Sequence, residues 1–127
     1  MNLSKGDVGP ARSRLARLLR SEAASGRRLA IYHAGPAPLL VEEAGDAPAS
    51  FARAAAVAAL ERGEPVRRAV TTESGVTLSI LALPIRRERE RARAVLVLSR
   101  SSEPVSAREE RAASRLARLV LGAIGGA

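Results

Sequence analysis

One histidine, no cysteine and an arginine-dense stretch bound the chemistry open to this chain. The lack of cysteine excludes disulfides, thiolate metal sites, cysteine nucleophiles and thioether-linked cofactors together. His33 is the sole imidazole, so neither a histidine-rich metal cluster nor a Ser-His-Asp triad can be assembled. Its functional reading is an axial haem ligand or a proton relay. No second ligand lies near it in sequence, which favours a partly solvated residue at the end of a strand.

Two pairs of adjacent carboxylates offer little more. Glu42 and Glu43 fall in a strand pattern, where neighbours point to opposite faces and cannot share a proton or a metal. Glu109 and Glu110 open a helix, where negative charge suits the dipole. The sharpest feature is R-R-E-R-E-R-A-R: Arg86, Arg87, Arg89, Arg91 and Arg93 with two glutamates in eight residues. Such a run can contact phosphates or an acidic partner. It also suits a solvated hairpin tip, and with no aromatic residue interleaved it gives base stacking no support. The glycines at 122–126 follow a helix rather than precede one, so they cradle no phosphate. No nucleophile–base pair, metal cluster or phosphate loop remains, and the sequence reads as non-enzymatic and without a cofactor.

The elements that position these residues start from Val76 to Ser99. V-T-L-S-I-L-A-L-P-I and A-V-L-V-L-S flank the charged run, and their β-branched content makes both strands. Val76, Leu78, Ile80 and Ala82 share one face of the first strand; Leu81, Leu83 and Ile85 share the other. A strand apolar on both faces is covered on both.

Around this hairpin the sequence predicts a loose segment at 1–9 and a helix over 10–24, with Asp7 as its N-cap and Gly26 at its end. Strands follow at 28–33 and 39–43, joined by A-G-P-A-P. An alanine-rich helix spans 49–62, with Phe51, Ala55, Ala58 and Ala59 on one face. Residues 66–71 form a partly charged edge strand. Ser106 and Glu109 make a capping box for a last helix running to Ile124, and a loose tail ends the chain. That helix carries an apolar stripe of Ala112, Leu116, Leu119, Val120, Ala123 and Ile124. Arg108, Arg111, Arg115 and Arg118 form its basic stripe.

With 127 residues, the chain holds one domain, 10–124, with a real core. One Phe and one Tyr leave that core to Leu, Val, Ile and Ala. The order of elements predicts an α+β fold of about five antiparallel strands, with the terminal helices packed on one face and the alanine-rich helix in the middle. The net charge of +8 raises nucleic acid, acidic protein and anionic membrane as partners. The positives are Arg everywhere but Lys5 and are spread along the chain, which ranks nucleic acid behind a generally basic surface. No apolar run approaches a membrane span and no signal peptide opens the chain, so a cytoplasmic location is expected.

Ser79 to Ile85, S-I-L-A-L-P-I, resembles the S-x-L-x-x-P-I/L strand of GAF domains. A-V-L-V-L-S, a loop and the long last helix resemble the family's closing strand and helix. R-L-A-I-Y-H-A-G-P-A-P-L-L-V-E-E-A-G resembles its opening hairpin, and A-A-L-E-R-G-E-P-V the helix end before its third strand. PAS, Roadblock and longin domains share a related sheet-and-helix plan. The resemblance implies a regulatory or signalling module, in bacterial signalling or transcription control, acting by protein contact or dimerisation. The alternatives are a small-ligand sensor and a basic nucleic-acid-associated protein. It also implies that the terminal helices pair across a two-fold axis, with Leu15, Leu18, Leu19, Leu116, Leu119 and Val120 burying a sheet face and contributing to a homodimer. Only Thr72 to Val76 separates two strands where ligand-binding members carry a longer lid, which implies a small or absent pocket. Bilin attachment and methionine sulfoxide reduction on this fold work through cysteines that this chain lacks.

Overall fold

The computed structural model describes residues 5–23 and 26–124. The expectations placed on residues 1–4, on the helix end at 24–25 and on the tail at 125–127 lie outside the described residues. The elements are α1 (Lys5–Glu22), β1 (Arg27–His33), β2 (Leu39–Gly45), α2 (Ala52–Arg62), β3 (Val66–Thr71), β4 (Thr77–Ile85), β5 (Ala94–Ser101) and α3 (Ala107–Ile124). The five strands form one antiparallel sheet in the order β2-β1-β5-β4-β3. The expected α+β architecture holds, with β5 at the centre and the charged β3 at one edge.

Strand alternation sorts the core into two layers. Leu29, Ile31, Leu81, Leu83, Ile85, Leu96 and Leu98 face α1 and α3, which insert Leu15, Leu19, Leu116 and Val120. Ala30, Tyr32, Leu78, Ile80, Ala82, Val95 and Val97 face α2. Each large aliphatic side chain so buried contributes roughly 1.5–3 kcal/mol. Pro84 lies past the last β3–β4 pair, Val66 with Ala82, where a strand can spare a backbone donor. At the head of α3, Ser106 N donates to Glu109 Oε1 at 3.0 Å and Glu109 N donates to Ser106 Oγ at 3.1 Å, the capping box read from the sequence.

Three expectations need correction. Helix α1 starts at Lys5, so Asp7 lies inside it and residues 5–9 are helical rather than loose. Gly6, Gly9 and Pro10 weaken the local signal, but a helix anchored by buried Leu15 and Leu19 extends past poor formers. Helix α2 starts at Ala52 rather than Ala49, because Phe51 adopts a left-handed φ of 65° that a right-handed helix cannot continue. Phe51 is therefore 48% exposed, and Ala52, Ala55, Ala56 and Ala59 are the buried face. In α3 the buried positions are Ala113, Leu116 and Val120, while Leu119 points to solvent.

Candidate functional site

The sheet and α2 meet without a chamber. Ala52, Ala55, Ala56 and Ala59 have no exposed surface, nor have Ala30, Ala82, Val95 and Val97 opposite them. Methyl groups on both sides let the helix backbone sit close to the strands, and Tyr32 fills the layer beside them. On the other face a cleft of about 20 Å³, lined by Glu22, Arg27, Leu29, Leu98, Glu109 and Leu116 among others, has room for one water.

The β4–β5 hairpin carries its arginines into solvent. Arg93 N donates to the Ile85 carbonyl at 2.8 Å and closes the loop; Glu90 N donates to the Arg87 carbonyl at 3.0 Å within it. Arg89 holds a left-handed φ of 66° at the tip. The tip stands beside the end of α2. Arg86, Arg89, Glu90 and Arg91 face Glu61, Arg62 and Gly63 across a groove of about 510 Å³. Of the five sequence candidates, Arg86, Arg89 and Arg91 line this groove. Arg87 does not, nor does Arg93, which lies 3.7 Å from Glu90. Arg62 joins them from another element, and nothing in the sequence signalled that approach.

The six leucine and valine candidates divide. Leu15, Leu19, Leu116 and Val120 are fully buried in the chain's own core and present no surface to a partner. Leu18 is half-buried against the same core. Leu119 is 57% exposed and buries no sheet face. Arg108, Arg111, Arg115 and Arg118 are exposed along α3.

The carboxylates work as clamps. Glu109 Oε2 lies 2.8 Å from Arg27 Nε and 3.4 Å from Arg100 Nε, so the first turn of α3 is ion-paired to β1 and β5. Glu110 takes both terminal nitrogens of Arg67 on β3. Hydrogen bonding from Arg67 holds its carboxyl below the usual carboxylate range. Glu42 and Glu43 sit opposite Ile31 and Ala30, on opposite faces as expected. Glu43 Oε1 accepts from Arg28 Nε at 3.1 Å and Nη2 at 2.8 Å, which compensates the charge of an arginine only 4% exposed. None of these pairings is signalled by the sequence, since each joins elements that only the fold brings together. His33 is exposed at the end of β1, beside Ala92 and Arg93. Among the described residues no group of three or more His, Asp or Glu side chains could hold a metal. No helix among them is long and apolar enough to cross a membrane.

No protein-family model matches the chain, and no curated protein matches its sequence. Solved structures do match in fold. The GAF domain of a two-component sensor histidine kinase from Bacillus halodurans is 15% identical, with a TM-score of 0.59 over 98% of this chain and 96% of that one. A GAF domain/HD domain protein from Geobacter sulfurreducens is 19% identical, with a TM-score of 0.57 over 94% and 97%. The fold is that of a GAF domain. A free methionine-R-sulfoxide reductase from Thermoplasma acidophilum superimposes as well, at 14% identity and a TM-score of 0.62 over 93% and 94%. This chain's version of the GAF fold has a short β3–β4 connection. Thr72 N donates to the Val76 carbonyl at 2.8 Å, and Val76 N donates to Thr72 Oγ1 at 3.0 Å. Thr72–Val76 is thus a tight, self-bonded turn in the place where the resemblance puts a ligand lid.

Proposed function

We propose that the chain is a non-enzymatic regulatory module of the signalling kind, acting by protein–protein contact rather than by enclosing a small ligand. The packing of α2 carries this reading: eight alanine and valine side chains with no exposed surface fill the layer in which a ligand would lie. The tight Thr72–Val76 turn supports it. So does the fold's presence in a sensor histidine kinase and an HD-domain protein. The contact face is the outer side of α1 and α3, where Leu119 and part of Leu18 stay accessible.

Light scattering on the purified chain, with thermal melts in the presence of nucleotides and haem, tests the reading. The expected result is a mass of two chains and no ligand-dependent shift. Arg115 and Arg118 flank Leu119 and repel their copies across a two-fold axis, so the dimer should strengthen as salt rises. Leu119→Glu should give one chain that melts where the parent chain melts once diluted below its dimer. A melting temperature raised by several degrees with one ligand overturns the reading against an enclosed ligand, and a single-chain mass at all salts overturns the homodimer.

A further inference from the structure

Four arginines from two segments distant in sequence line the groove between the β4–β5 tip and the end of α2. Arg86, Arg89 and Arg91 come from the tip and Arg62 from the last turn of α2. Glu61 and Glu90 share the wall, and Glu90 is ion-paired to Arg93 at 3.7 Å. Among the described residues none of the four arginines has an ion-pair partner, whereas Arg27, Arg28, Arg67 and Arg100 of the sheet each have one. Unpaired like charges gathered in a concavity repel one another and draw in counter-ions. Arg89 also holds a left-handed backbone that disfavours any residue with a Cβ, at the point where its side chain enters the groove.

We propose that this groove binds a chain of closely spaced phosphates. The planar fork of arginine matches two phosphate oxygens at once, and four forks suit an anion charged along its length. Leu60 and Ala92 are the only apolar side chains in the wall, and no aromatic lines it. An acidic peptide would lack the apolar anchors that hold peptides, and a base would find no stacking partner. Arg111, Arg115 and Arg118 line a second concavity of about 490 Å³ on α3, but all three come from one helix and Glu110 shares their wall.

Calorimetry with inorganic tripolyphosphate, and anisotropy with labelled duplex DNA, test this on the whole chain at several salt concentrations. The variants are Arg89→Glu with Arg91→Glu, Arg62→Gln alone, and Arg111→Ala with Arg115→Ala as the control; melts confirm that each is folded. Tripolyphosphate should bind at low salt. The double tip variant should weaken it by more than about tenfold, Arg62→Gln by less, and the control not at all. The slope of log K against log salt for DNA should fall by about one for each groove arginine removed. Binding of both ligands through these residues makes the nucleic-acid backbone a source of the phosphates; binding of tripolyphosphate alone makes the source a free polyphosphate. No binding of either, loss in the control instead of the tip variant, or equal affinity for polyglutamate overturns the proposal.

Discussion

Arg67 on the edge strand β3 grips Glu110 in the first turn of α3 with both terminal nitrogens, Nη1 donating to Oε2 at 2.8 Å and Nη2 to Oε1. The pair ties the last helix to the far edge of the sheet. It also sets a pH dependence. Hydrogen bonding from Arg67 lowers the Glu110 carboxyl; desolvation opposes it, and the arginine charge adds a lesser lowering. A carboxyl that is more acidic in the folded chain stabilises above its unfolded value, about 4.3, and that contribution is lost as pH falls through the lower folded value. Glu110→Gln should therefore lose a little stability at neutral pH and none in strong acid. Urea midpoints across the acid range would check this, and high salt should shrink the difference because the pair is open to water.

Glu109 is a different case, enclosed between Arg27 and Arg100 with its side chain 10% exposed. Glu109→Ala removes both ion pairs and half of the capping box, and should cost roughly 2–4 kcal/mol. Ser106→Ala removes only the hydroxyl half of the cap and should cost about 1 kcal/mol. Chemical denaturation of both variants separates cap from clamp, and equal losses would show that the arginines contribute nothing.

The two leucines of α3 at 116 and 119 should behave unlike each other. Leu116→Ala opens a cavity beneath α1 and α3 and should cost about 2–5 kcal/mol. Leu119→Ala should stay within about 0.5 kcal/mol in the separated chain. Melts at low protein concentration compare them directly.

Two of the glycines with positive φ, Gly45 and Gly63, hold it for different reasons. A Cβ on Gly45 would sit 2.1 Å from the Arg27 carbonyl oxygen and 2.8 Å from the Arg28 Cα, so Gly45→Ala must push β2 away from β1 at a cost of roughly 2–4 kcal/mol. Gly63 ends α2 at φ 67° with open space around it, and Gly63→Ala carries only the backbone penalty of roughly 1–2 kcal/mol. A smaller loss at Gly45 than at Gly63 would contradict this packing.

The parts legible in the sequence were those governed by short-range periodicity. Leu78, Ile80 and Ala82 share one layer and Leu81, Leu83 and Ile85 the other, as alternation requires. The Ser106–Glu109 cap spans three residues and was visible for the same reason. What escaped depends on tertiary placement. Phe51 has the composition of a core residue, but its left-handed backbone turns it outward. Leu119 fits the apolar stripe by spacing, yet Leu116 and Val120 already fill the contact and leave it no room. The first-turn acids of α3 matched a dipole argument that is true of any helix; their partners on β1, β3 and β5 are set by how the chain returns to the sheet. The groove was half visible, since the arginine run was plain and Arg62 was not.

The register of β1 with β5 pairs Arg27 with Arg100 and His33 with Ala94, residues from opposite ends of the chain. Until β5 has been synthesised, the nascent polypeptide holds two separate hairpins, β1–β2 and β3–β4, each with one bare inner edge and an uncovered aliphatic face. Neither half can close its core alone, and both are sticky in the meantime. Folding must therefore wait until the Ala94–Ser101 strand has been made, and a polypeptide truncated before Ala94 should be destined for aggregation or proteolysis rather than for a smaller stable fragment.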